Sequence, residues 1–133
     1  MHTRAKDIMT TEMILATPEM TLEEAIKVLF NNRITGMPVI GPRRKLIGIL
    51  SEFDVIRAIK NKKTGAMIPL SRLISYSKNP LVVKESALLA DVLDLFVDNQ
   101  VRRLPVVDKK GTLVGIITRR DIMRVLFYRS KKL

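Results

Sequence analysis

Two tetrapeptides in this chain combine a hydroxyl and a carboxylate at the same spacing: Ser51-Glu52-Phe53-Asp54 and Thr118-Arg119-Arg120-Asp121. Each follows a glycine-containing apolar run, "LIGIL" or "LVGII", and each leads into an apolar helical pattern. A hydroxyl at a helix cap and a carboxylate three residues later satisfy two orphan backbone N–H groups, and the helix dipole favours the negative charge there. Capping alone explains any single such tetrapeptide. The same corner also leaves free N–H groups at a positive dipole end, where phosphate docks readily. Cap and site are compatible.

Other chemistry finds little to work with. Cysteine is absent and His2 is the only histidine, so a metal site would need carboxylates alone; no Asp/Glu cluster has suitable spacing, and no metal is expected. Gly36, Gly41 and Gly48 form no phosphate-loop or dinucleotide fingerprint. A nucleophile, a base and an orienting group cannot be assembled, so no enzyme is expected. The longest apolar stretches run to about five residues, far short of a membrane span, and the first residues lack the apolar core of a signal peptide. These features predict a soluble cytoplasmic protein with no membrane partner.

The balance of 24 Lys+Arg against 13 Asp+Glu gives a net charge of +11. Such an excess attracts polyanions, whether nucleic acid, anionic lipid or nucleotide phosphate. The basic residues fall in short groups, among them Arg43-Arg44-Lys45, Arg102-Arg103, Arg119-Arg120 and Arg129-Ser130-Lys131-Lys132, where turns and helix ends are expected. A solvated basic surface accounts for that pattern.

The elements that must position the two corners come as a repeat. "ITGMPVIGPRRKLIGILSEFDVIR" (34 to 57) aligns without a gap on "VRRLPVVDKKGTLVGIITRRDIMR" (101 to 124), placing Pro38 on Pro105, Gly48 on Gly115, Asp54 on Asp121 and Arg57 on Arg124. The offset is 67 residues throughout. Upstream, Leu22, Ala25, Ile26, Leu29 and Phe30 mark the apolar face of a helix, matched by Leu89, Val92, Leu93, Phe96 and Val97. Thr21-x-x-Glu24 supplies a capping box for the first. A short extended segment precedes each helix, two strand-like runs follow it, and a closing helix ends each unit. Val55, Ile56 and Ile59 are expected to face inward in the first closing helix, and Ile122, Met123, Leu126 and Phe127 in the second. Each unit therefore reads β-α-β-β-α, an α+β fold (α/β-like) built twice. Residues 1–64 form the first repeat with its N-terminal lead-in, and 65–133 the second with its lead-in and basic C-terminal helix. "KNKKTGAMIP" reads as the linker, and Ala5 to Thr10 and Leu70 to Ser75 as matching helical turns.

The strands "GMPVI" and "RLPVVD", the strands "LIGIL" and "LVGII", and the corners "SEFD" and "TRRD" together resemble the CBS domain. The whole chain is similar to a stand-alone CBS-domain pair, or Bateman module. The resemblance implies two tandem repeats packed with pseudo-twofold symmetry through their sheets. Two clefts between them commonly bind AMP, ADP, ATP or S-adenosylmethionine, and further association gives disc-shaped dimers. It also implies that the motif's Asp accepts hydrogen bonds from the ribose hydroxyls while its Ser or Thr holds phosphate, here Asp54 with Ser51 and Asp121 with Thr118. The adenine pockets implied are Ala16, Thr17, Ile34, Gly36, Met37 and Pro38 for one cleft. Val83, Lys84, Val101, Arg103, Leu104 and Pro105 line the other. Arg119 and Arg120, with Arg103 and Lys84, favour phosphate if they turn inward rather than stand in solvent, and the Thr118/Asp121 cleft is therefore expected to be the tighter polyphosphate site.

The function expected is thus a non-catalytic regulatory module that binds an adenosyl nucleotide, with no cofactor in a catalytic sense. It signals by conformational or dimer rearrangement to an unidentified effector protein, as a homodimer. Two alternatives stay open: a basic nucleic-acid-binding protein on a CBS scaffold, against which stand only 5% aromatics and no Trp, and a structural dimer with empty clefts.

Overall fold

In the computed structural model, residues 3–60 and 62–130 are described; His2 and the last lysines of the basic tail lie outside them. The elements run α1 (Ala5–Ile8), α2 (Leu22–Asn31), β1 (Gly36–Ile40), a 3-10 turn at Pro42–Arg44, β2 (Leu46–Ser51) and α3 (Glu52–Ile59). They continue with β3 (Ser77–Lys78), β4 (Val83–Lys84), α4 (Leu89–Asn99), β5 (Arg103–Val107), β6 (Leu113–Thr118) and α5 (Arg119–Ser130). One sheet is ordered β1-β2-β3 and the other β4-β5-β6.

The chain divides into two compact units that cut across the sequence repeats. One gathers the described residues of Met1–Met13 and Leu81–Leu133, and the other those of Ile14–Pro80. The repeats expected to meet at 64 and 65 are units of sequence, and each compact unit takes its lead-in from the other repeat. The lead-ins are exchanged: Thr10 bridges Ile116 of β6, while Ser77, its counterpart 67 residues on, pairs with Ile49 of β2. On the other side of each sheet Ala16 bridges Val39 in parallel, and Val83 pairs with Val106 in the same way. Each unit therefore has the same order, lead-in, second hairpin strand, first hairpin strand, pre-helix segment. The Ala5 to Thr10 lead-in forms a helical turn, α1; its counterpart makes only a turn closed by Arg72 N–H on Pro69 O at 3.1 Å.

Burial explains the strand sequences. Met37, Pro38 and Val39 are buried in succession, as are Leu104, Pro105, Val106 and Val107, so β1 and β5 read as continuous apolar runs. In β2 and β6 burial alternates, which fits strands with one covered face. A proline survives mid-strand because its missing N–H falls on the pre-helix side. There Pro38 needs only its carbonyl, which accepts from Ala16 N at 2.8 Å, and β2 loses no donor. The cores match across the repeat: Leu22, Ala25, Met37, Val39, Leu50 and Val55 in one unit answer to Leu89, Val92, Leu104, Val106, Ile117 and Ile122 in the other.

The helices are less buried than their periodicity predicts. Phe30 is 80% exposed and Val97 73%; in the closing helices Val55 and Ile122 are buried and Ile59 packs half-buried on the core, whereas Ile56, Met123, Leu126 and Phe127 are exposed. The apolar stripe is wider than the sheet it packs on.

Glycine matters where the lead-ins cross the sheets. A Cβ on Gly48 would run into the Tyr76 ring and the backbone oxygen of Ser77; one on Gly115 would run into the Met9 side chain. Methionine is flexible and gives way more easily than backbone. Gly48→Ala is therefore expected to cost about 2–3 kcal/mol and Gly115→Ala about 1 kcal/mol, with urea unfolding as the check; equal losses would refute the unequal crowding.

Candidate functional site

The two hydroxyl–carboxylate corners sit where a hairpin's second strand ends and a closing helix begins. In the Ile14–Pro80 unit, Asp54 Oδ2 accepts from Ser51 N–H at 2.8 Å and from the Ser51 hydroxyl at 3.1 Å, while Ser51 Oγ accepts from Asp54 N–H at 3.2 Å. Asp54 Oδ1 accepts from the Arg57 guanidinium at 2.6 Å. The residue is 9% exposed. A carboxylate so far out of water needs charge-assisted partners, and the cap and the arginine one turn on provide them.

The second corner repeats this arrangement and adds to it. Asp121 Oδ2 accepts from Thr118 N–H at 2.7 Å and from its hydroxyl at 3.0 Å; Oδ1 accepts from Arg124 at 2.7 Å. Thr10 of the exchanged lead-in then donates its hydroxyl to Oδ1 at 3.0 Å, and Arg124 ties the lead-in further through Ile8 O at 3.1 Å. A carboxylate offers about four acceptor positions. Asp121 has four donors on it and is 3% exposed. Asp54 has three among the described residues, and beside it lies a cavity of about 240 Å³ lined by Asp54, Arg57, Ala58, Ser75, Tyr76 and Ser77.

The other sequence-derived site residues divide between core and surface. Ala16, Met37, Pro38, Val83, Leu104 and Pro105 are buried in the sheets of their own units, whereas Thr17 and Lys84 are exposed. Gly36 stands opposite Ser51, and Arg103 opposite Thr118, so these two do flank the corners. Ile34, Val101 and Arg119 go elsewhere, lining apolar grooves between the helices. Arg119 and Asp121 are two positions apart on α5, about 200° around the helix, so the arginine that lines the groove is turned away from the buried carboxylate. Arg120 is exposed.

Sequence reasoning missed Thr10, Tyr76 and Ser77, and gave Arg57 and Arg124 no part. The repeat offset carried upstream pairs Thr10 with Ser77 and Met9 with Tyr76. It could not say that each would serve the other repeat's corner.

The two grooves are a second shared feature. One, of about 530 Å³, is lined by Ile26, Phe30, Ile34, Val55, Ile56 and Ile59 with others; the second, of about 480 Å³, by their counterparts Leu93, Val97, Val101, Ile122, Met123 and Leu126. Among the described residues no helix is long and apolar enough to cross a membrane. No group of three or more His, Cys, Asp or Glu among them could hold a metal ion.

Comparison with known proteins follows the sequence repeat. The sequence profile of the CBS domain matches residues 5–61 and 72–128, again 67 apart. The chain is 33% identical to the chloroplastic CBS domain-containing protein CBSX1 of Arabidopsis thaliana over 85% of its own length and 58% of that protein's. It is 34% identical to inosine-5'-monophosphate dehydrogenase of Methanocaldococcus jannaschii, over 91% of this chain but only 23% of the enzyme. The chain thus spans less than two thirds of these curated relatives. Among solved structures, CBSX2 in complex with AMP superposes with a TM-score of 0.79 at 29% identity, covering 96% of this chain and 98% of that one. The CBS domain pair of protein MJ0100, in complex with methylthioadenosine and S-adenosyl-L-methionine, gives 0.75 at 26% identity, over 96% and 98%.

The unequal donor counts have a consequence for stability. Asp121→Ala removes a cap, frees Arg124 and unties Thr10, and is expected to cost about 2–4 kcal/mol; Asp54→Ala removes a cap and frees Arg57, for about 1–2 kcal/mol. Chemical denaturation of the two variants measures the order, and a larger loss at Asp54 would contradict it.

Proposed function

Since the chain belongs to the CBS domain family, as two CBS domains in tandem, we propose that it is a non-catalytic regulatory module that binds an adenosyl ligand at the Ser51/Asp54 corner. The observation that carries this reading is the buried Asp54 carboxylate, with three donors in place among the described residues and a polar cavity beside it. An ionised carboxylate is acceptor-only and suits a ribose hydroxyl; the Ser51 cap keeps it fixed for that purpose. A volume of about 240 Å³ is small for a whole nucleotide pocket and appropriate to one part of it. Support comes also from the relatives solved with AMP and with S-adenosyl-L-methionine and methylthioadenosine.

The role is regulatory rather than catalytic because both carboxylates are committed as acceptors in caps and ion pairs, an arrangement for holding rather than for proton transfer. Ligand uptake alters the conformational balance by the difference in affinity between states, and an effector protein reads the change. AMP, ADP, ATP and S-adenosylmethionine all meet the chemistry of the corner. The tighter polyphosphate binding expected at Thr118/Asp121 loses its support from Arg119, which faces the helical groove.

The homodimer implied by the resemblance has its surface in the helical grooves, where Phe30, Ile56, Val97 and Met123 are more than half exposed. Nucleic-acid binding is a second reading that the +11 charge favours; a complex that survives physiological salt in a gel shift would support it.

Titration calorimetry with AMP, ADP, ATP and S-adenosylmethionine tests the main reading. One of them is expected to bind, and Asp54→Ala to weaken it about 10- to 100-fold, the worth of a charge-assisted hydrogen bond. Silence across the panel would falsify it. For the dimer, sedimentation of a Phe30→Glu/Val97→Glu variant is expected to show monomer where the parent shows dimer.

A further inference from the structure

We infer that Thr10 is a built-in occupant of the Thr118/Asp121 corner, so that the protein takes up its first adenosyl ligand at Ser51/Asp54 and a second only when the Thr10 hydroxyl is withdrawn. This rests on the adenosyl-ligand reading above and adds to it the order in which the two corners fill and the residue that sets that order.

The two corners share their cap, their arginine and their place in the fold, which leaves one difference in acceptor use. Thr10 gives Asp121 Oδ1 its second donor, at 3.0 Å. Its counterpart Ser77 lines the cavity beside Asp54 and gives that carboxylate no hydrogen bond among the described residues. A ligand hydroxyl arriving at Asp54 therefore adds a hydrogen bond, whereas one arriving at Asp121 can only replace one that exists. Exchange of equals yields no net affinity, which puts the second corner about 10- to 100-fold behind the first.

Thr10 is also well anchored. Its N–H donates to Ile116 O at 2.8 Å, and its carbonyl accepts from Ile116 N–H at 2.9 Å. Just before it in the chain, Met9 lies against Gly115, and Arg124 holds the Ile8 carbonyl while pairing with Asp121 itself. The hydroxyl is thus presented to the carboxylate by backbone that the sheet has already fixed. In the opposite unit the corresponding contact is the Tyr76 ring over Gly48, and the cavity persists beside it.

Stoichiometry decides the matter, with AMP and S-adenosylmethionine as the probes. Wild-type protein is expected to bind one equivalent per chain, Thr10→Ala two of comparable affinity, Thr10→Ser one because it keeps the hydroxyl, and Thr10→Ala/Asp121→Ala one again. Two equal sites in the wild type, or a single site in a folded Thr10→Ala, would overturn the inference. If the wild type is silent while Thr10→Ala binds one equivalent, the Asp54 reading fails and the occupancy of Asp121 by Thr10 stands. If both are silent, the inference falls.

Discussion

A carboxylate removed from water must be surrounded by donors, and each unit of this protein is organised around one that is. Asp54 and Asp121 each cap a helix, fix the end of the strand before it through a backbone N–H, and hold an arginine one turn further on. An unpaired buried carboxylate would cost several kcal/mol, so strand end, helix start and arginine cannot be arranged independently. The number of acceptor positions is what remains adjustable once the donors are placed. A single hydroxyl, present on one and absent on the other, makes two otherwise matched corners chemically different.

The exchanged lead-ins supply that hydroxyl. Because Thr10 is held by backbone pairing to Ile116, its hydroxyl reaches Asp121, while Ser77, paired with Ile49, only lines the cavity beside Asp54. The glycines under them are required for the same reason. Gly48 and Gly115 are the only positions in "LIGIL" and "LVGII" without a side chain, and over each of them the lead-in passes closely.

Much of this was legible in the sequence. The gap-free register fixed both hairpins and both corners, with Pro38 on Pro105 matching the first strand of each hairpin. The capping tetrapeptides located the helix starts to the residue. What could not be read has physical causes. A lead-in of about six residues carries no periodicity, so its partner strand, found more than a hundred residues away for Thr10, leaves no local trace. Helical periodicity identifies an apolar stripe but not what covers it, and Ile56, Met123 and Leu126, expected inside, line grooves instead. Arg119 illustrates the same limit for charge: adjacency to Thr118 in sequence places it on the other side of the helix from Asp121.

The division of the chain bears on how such a protein can arise and be dissected. A single ancestral repeat, cut out at residue 64, would carry a lead-in with no sheet of its own to complete and a sheet with no lead-in. Two copies could satisfy each other only by swapping these segments, an association governed by concentration. Joining the copies in one chain turns that bimolecular exchange into an intramolecular one, at an effective concentration set by the connecting segment. Fragments of this protein should accordingly be designed by compact unit, and a permuted chain that runs the 81–130 stretch directly into residues 3–13 keeps each sheet contiguous where a cut at the repeat boundary does not.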